Sequence, residues 1–103
     1  MLESTFKNKV KREMGKDYVF VQNSAGDGVP SSFPDTTVIA PKGQVFFAEW
    51  KRSEKVYLAG KKTEHQQKQA YWINKLNKMG HNAQFVYPEN AEEWQKNVKR
   101  LSA

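Results

Sequence analysis

Leu2, Phe6, Val10 and Met14 recur at every fourth position with polar and charged residues between them, the spacing of a narrow apolar stripe on a helix turning about 100° per residue. The pattern predicts a helix over residues 2–14, stopped at Gly15. Glu3 falls within the bearing of that stripe, so its carboxylate is expected along the packed side, where a charge needs a partner. Tyr18-Val19-Phe20-Val21 reads as a short buried strand, and residues 23–32 as a turn-rich loop long enough to be functional. Thr36-Thr37-Val38-Ile39-Ala40 is largely β-branched, Pro41-Lys42-Gly43 carries turn residues, and Gln44 to Lys51 resumes the apolar run. A hairpin is therefore predicted. Strand alternation sends Glu49 and Lys51 to one face and Trp50 to the other, with Asp35 beside them at the start of the neighbouring strand.

Residues 52–62 form a basic connector with a small apolar patch, Val56-Tyr57-Leu58, and a break at Gly60. Thr63 with Gln66 three positions on is the signature of a capping box, and the helix it opens runs to Met79 before Gly80 stops it. Trp72, Ile73 and Leu76 make its apolar stripe; Gln69 lies near the centre of that stripe and Gln66 at its edge, so a polar amide is aimed at the core side. Ala83-Gln84-Phe85-Val86-Tyr87 reads as a strand ended by Pro88. Asn90 with Glu93 predicts a cap for a last helix carrying Trp94, Val98 and Leu101. The order is α-β-β-β-α-β-α, an α/β (α+β) domain with a central sheet flanked by helices, spanning residues 1–103 as one unit.

Charge narrows the partners. Lys and Arg number 17 against 11 Asp and Glu, a formal charge of +6, which favours a polyanion such as nucleic acid where other features agree. The absence of cysteine rules out disulfides and thiolate zinc sites and fits an intracellular protein. The first twenty residues lack an apolar h-region, and no run is long enough to cross a bilayer, so a soluble protein without a membrane partner is expected.

Two carboxylates and a lysine, Asp35, Glu49 and Lys51, within reach of one metal ion suggest phosphodiester cleavage. His65 and His81 have no third ligand at fitting spacing and read as ordinary polar residues. Lys51, Arg52, Lys55, Lys61 and Lys62 cluster around the predicted site and are the candidate phosphate contacts; Lys7, Lys9, Lys11 and Arg12 form a second basic stretch.

Pro34-Asp35 at the start of the second strand, Glu49-Trp50-Lys51 on the third, Glu3 in the first helix, Gly28-Val29-Pro30 in the loop, and Gln69, Trp72, Leu76 and Gly80 along the second helix together resemble the PD-(D/E)XK nuclease superfamily. More narrowly they resemble its stand-alone virus-type replication-repair nucleases, the VRR-NUC family, over nearly the whole chain. Two departures stand out. Gly-x-Pro-Asp is usually contiguous in that family, whereas here Ser31-Ser32-Phe33 and a second proline intervene; Asp35 is favoured over Asp27 because it abuts the strand. The helical glutamine is doubled, Gln66 fitting the cap and Gln69 the spacing to Trp72 and Gly80.

The resemblance implies a restriction-endonuclease-like core and a DNA endonuclease using Mg²⁺ or Mn²⁺, since hard cations prefer oxygen ligands. Asp35 and Glu49 are the expected ligands, the Trp50 backbone carbonyl a natural third oxygen, and Glu3 a ligand directly, through water, or at a second metal. Lys51 would orient or deprotonate the attacking water or stabilise the scissile phosphate, and Gln69 or Gln66 would position the water or the lysine. The family further implies structure-selective cutting of branched DNA, including four-way (Holliday) junctions, by a phage protein in the host cytoplasm. Two symmetric nicks across a two-fold junction need two sites, hence a homodimer. The competing expectations are a flap or duplex DNA nuclease of the same fold and a non-catalytic nucleic-acid-binding module.

Overall fold

A computed structural model describes residues 3–24, 26, 28–54 and 63–103. The sequence-based expectations for Leu2, Asp27, Lys55, Val56-Tyr57-Leu58, Gly60, Lys61 and Lys62 lie outside these residues, as does the side chain of Glu3. Helix α1 spans Glu3–Met14, strands β1, β2 and β3 span Val19–Gln22, Thr36–Ile39 and Val45–Trp50, helix α2 spans Glu64–Lys78, β4 spans Asn82–Val86, and α3 spans Ala91–Leu101. The predicted order is the observed one.

The four strands form one mixed sheet in the order β1-β2-β3-β4. β1 to β3 are antiparallel neighbours and β4 runs parallel to β3, a pairing that needs a crossover connection, here one that includes α2. The β2–β3 turn is a single 3₁₀ turn at Pro41–Gly43, with Lys42 and Gly43 both in the left-handed region at φ 66° and 73°.

Among the described residues the sheet carries a larger core on one face and a smaller cluster on the other. Phe6, Val10 and Met14 from α1 and Trp94 and Val98 from α3 meet Val38, Phe46, Ala48, Trp50 and Val86 in the main core. The smaller cluster on the opposite face joins Ile73 and Leu76 of α2 to Ala83, Phe47, Phe85 and Phe33. Even-numbered β3 residues thus serve the main core and odd-numbered ones face α2, the two-residue alternation of a pleated strand. Trp50 is the hub of the larger core: its ring stacks on Phe20 at 6.2 Å and meets Phe6 and Trp94 edge-on at 5.7 and 5.5 Å. Its indole N–H donates to the buried Thr36 hydroxyl at 2.8 Å, satisfying a polar pair that burial would otherwise penalise.

Two local expectations are corrected. β1 was expected to be buried, yet Val19 and Val21 are 53% and 41% exposed; among the described residues the cluster under α2 draws on β3 and β4, and no β1 residue joins it. Asn90 does not cap α3 through its side chain. Its amide turns back instead, accepting from Tyr87 N–H at 2.7 Å and donating to Phe85 C=O at 3.1 Å, which closes the turn after β4.

Candidate active site

The site lies on the α2 face of the sheet, at the end of β3. In the antiparallel pairing of β2 with β3, Thr36 faces Ala48; carried one residue outward, the same register sets Asp35 across from Glu49, and opposed residues share a face. Glu49 is 2% exposed, its Oε1 sealed from solvent, whereas Asp35 is half-buried. Lys51, two residues beyond Glu49, shares its face, and its ammonium lies 5.9 Å from the centre of the Phe85 ring, within cation–π range. Phe85 is also the β4 residue paired with Glu49, so an aromatic wall borders both charged groups.

The two helical glutamines occupy different environments. Gln66 closes the capping box of α2, its amide N–H donating to Thr63 Oγ1 and its Oε1 accepting from Thr63 N–H. Gln69 is buried one turn further along, and its Oε1 accepts from Lys51 Nζ at 2.7 Å. The position forced toward the core by helical bearing thus faces the lysine. Arg52 is exposed just beyond Lys51, while Lys11 and Arg12 belong to α1 in the layer on the other face.

The loop carrying Asp35 is tied down by residues that the sequence reading left aside. Asn23, immediately after β1, donates its side-chain amide to Pro34 C=O at 3.0 Å and to Thr37 Oγ1 at 2.9 Å. Its backbone N–H donates to Asp35 C=O at 2.6 Å. Three bonds from one residue therefore clamp the Pro34–Thr37 segment. Phe33 stands edge-on to Phe47 of β3 and Trp72 of α2, at 5.7 and 5.5 Å. Ser32 Oγ lies 2.7 Å from His65 Nδ1, and His65 Nε2 lies 3.1 Å from Gln69 Nε2. The only signal in the sequence for these roles was the run Ser31-Ser32-Phe33, inserted where the family motif is usually contiguous.

Asp35 and Glu49 form a hard-oxygen donor set. Holding two carboxylates on one face, one of them out of water, is costly through desolvation and mutual repulsion, and a divalent cation between them removes both penalties. Among the described residues no three His, Asp or Glu side chains converge on a point. Two carboxylates and a backbone oxygen would leave several waters on a cation held there, the habit of Mg²⁺.

Comparisons with known proteins bear on the fold. No protein-family model matches the chain, and no curated protein matches it either. A solved structure described as a VRR_NUC domain superposes with a TM-score of 0.63 at 23% sequence identity, over 88% of this chain and 90% of that one. The chain has the fold of that domain. Among the described residues no helix is long and apolar enough to cross a membrane.

Proposed function

We propose that the protein is a VRR-NUC-type nuclease, a metal-dependent endonuclease that hydrolyses phosphodiester bonds in branched DNA and resolves four-way junctions as a homodimer. The reading is carried by the β2–β3 register, which extended one residue past the Thr36–Ala48 pair sets Asp35 across from Glu49, with Lys51 on the same face and bonded to Gln69. The fold shared with a VRR_NUC domain supports it, as does the net charge of +6.

Asp35, Glu49 and the Trp50 carbonyl would hold Mg²⁺ or Mn²⁺, with Glu3 as a further acidic group; bound there, the cation supplies acidification of water and neutralisation of charge on the phosphate. The chain's own residues do the rest. Glu49 and Asp35 set the position of the ion relative to the sheet. Lys51 carries a positive charge to the scissile phosphate or to the attacking water, and its contact with Gln69 Oε1 limits where the ammonium can sit. Arg52, and beyond the described residues Lys55, Lys61 and Lys62, would extend the phosphate-binding surface on the same side. Val19, Val21, Ile39 and Val45, exposed on one face of the sheet, offer an apolar surface for the second protomer.

The test is cleavage of synthetic four-way junction, flap, nicked and linear duplex DNA with Mg²⁺ or Mn²⁺. Preferred symmetric nicking of the junction is expected, and Asp35→Ala and Glu49→Ala should each abolish cutting while leaving DNA binding intact. A wild-type protein that binds these substrates and cuts none of them is a binding module and not a nuclease.

A further inference from the structure

We propose that His65 and Ser32 are positioning residues that act through Gln69 on Lys51, fixing by hydrogen-bond polarity which end of the Gln69 amide faces the lysine. This rests on the nuclease reading for its catalytic consequence, but the relay itself stands on geometry.

Donor and acceptor bookkeeping leaves one arrangement. A lysine ammonium only donates, so the Gln69 atom 2.7 Å from Lys51 Nζ must be the amide oxygen. The amide nitrogen then points the other way, toward His65 Nε2 at 3.1 Å. An amide NH₂ only donates, so that ring nitrogen must accept, which places the imidazole proton on Nδ1. Nδ1–H in turn donates to Ser32 Oγ at 2.7 Å. Three hydrogen bonds in series, Lys51 to Gln69 to His65 to Ser32, each fix the polarity of the next. Remove the last acceptor and the Nδ1–H tautomer keeps only its bond from Gln69; the other tautomer would set an imidazole N–H against the Gln69 NH₂, two donors face to face, and the series would break.

Two features mark Ser32 as more than a passing neighbour. It is a non-glycine residue in the left-handed region, φ 65°, and it is nearly buried, at 9% exposure. The chain accepts an unfavourable backbone conformation at the residue that brings a hydroxyl to His65. It also lies in the Ser31-Ser32-Phe33 segment that lengthens the loop ahead of Asp35, so the loop holding one carboxylate and the helix orienting the lysine are joined by the same contact. His65 sits in the exposed first turn of α2, where substitution opens no core.

The experiment pairs nitrogen NMR of the ¹⁵N-histidine-labelled full chain with single-turnover cleavage of a four-way junction. In the wild type the spectra should show His65 as the Nδ1–H tautomer, with Nε2 unprotonated. His65→Leu, which removes the acceptor, should slow single-turnover cleavage about tenfold at unchanged DNA affinity, the scale of one lost hydrogen bond. His65→Gln, whose side-chain oxygen can accept in place of Nε2, should recover the rate to within about threefold. Ser32→Gly separates the relay from mere stability: it relieves the φ strain and raises or preserves the melting temperature, yet it should shift the His65 tautomer and slow cleavage. An Nε2–H tautomer in the wild type, or a His65→Leu variant that cuts at the wild-type rate, overturns the proposal. Were the wild type to cut no substrate, the nuclease reading would fall, and the spectra would still decide the relay: Nδ1–H sustains it and Nε2–H ends it.

Discussion

Truncating Asn23 to alanine isolates the clamp on the Asp35 loop. The backbone bond from residue 23 to Asp35 C=O survives, whereas the side-chain bonds to Pro34 C=O and Thr37 Oγ1, at 3.0 and 2.9 Å, are lost. Each is a neutral hydrogen bond worth about 1 kcal/mol net, and the half-buried site lets water replace part of it, so Asn23→Ala should cost about 1–2 kcal/mol. For a domain of this size that lowers the melting temperature by about 5–10 °C. Thr37→Val removes one of the two bonds and should cost about half as much, and the double variant should fall short of additivity by about 0.5–1 kcal/mol because both changes break the same contact. The functional consequence is separate: Asp35 loses a fixed position opposite Glu49, and affinity for Mn²⁺, measured by calorimetry without DNA, should weaken about three- to tenfold. Urea denaturation reads the first effect and calorimetry the second. Lost stability with unchanged Mn²⁺ affinity would refute the clamp as a positioning device for the carboxylate and leave it a purely structural contact.

The other predictions address the core, the cap, the carboxylate and the exposed sheet face. Trp50→Phe keeps the aromatic hub but leaves the buried Thr36 hydroxyl without its indole donor; a loss of about 1–3 kcal/mol in urea denaturation is expected, and Thr36→Val in the same background should recover part of it. Thr63→Ala breaks the reciprocal pair with Gln66 and should cost about 1 kcal/mol, without the loss of cleavage expected for Gln69→Leu. Glu49→Gln is nearly isosteric and removes the charge of a carboxylate 2% exposed, so Mn²⁺ affinity should drop at least about tenfold by calorimetry. If the exposed face of β1 and β2 is where protomers meet, Val19→Lys with Ile39→Lys yields a monomer by sedimentation; an unchanged dimer would place the interface elsewhere.

What the sequence made legible was whatever depends on neighbours along the chain. The α1 stripe Phe6, Val10 and Met14, the Pro41–Gly43 turn and the Thr63–Gln66 box are each set within a few residues, and each stands where the pattern predicts. Alternation along β3 put Trp50 opposite Glu49 and Lys51 for the same reason. The misses are through-space. Asn90 has the spacing of an N-cap, but two backbone groups left open at the end of β4 compete for its amide and win it. The exposure of Val19 and Val21 depends on which strands α2 packs against, which no local pattern encodes. Asn23, Ser32 and His65 are polar residues of loops and helix starts, ordinary in type; their roles come from partners 14 and 33 positions away.

These long-range contacts also explain how the charged site is held in register. Among the described residues the cluster under α2 has Ile73, Leu76 and Ala83 as its buried members, with Phe33 of the Asp35 loop packed against them. The loop is fastened from three sides: Asn23 from β1, Phe33 against β3 and α2, and Ser32 on His65. Ser32 at φ 65° carries a conformational cost of about 1–2 kcal/mol, comparable with what its hydrogen bond to His65 returns, so it adds little net stability. Its contribution is geometric. A contact that leaves stability almost unchanged while fixing the lysine partner relative to the carboxylate loop belongs to the site, and its removal should register in the cleavage rate before it registers in the melting curve.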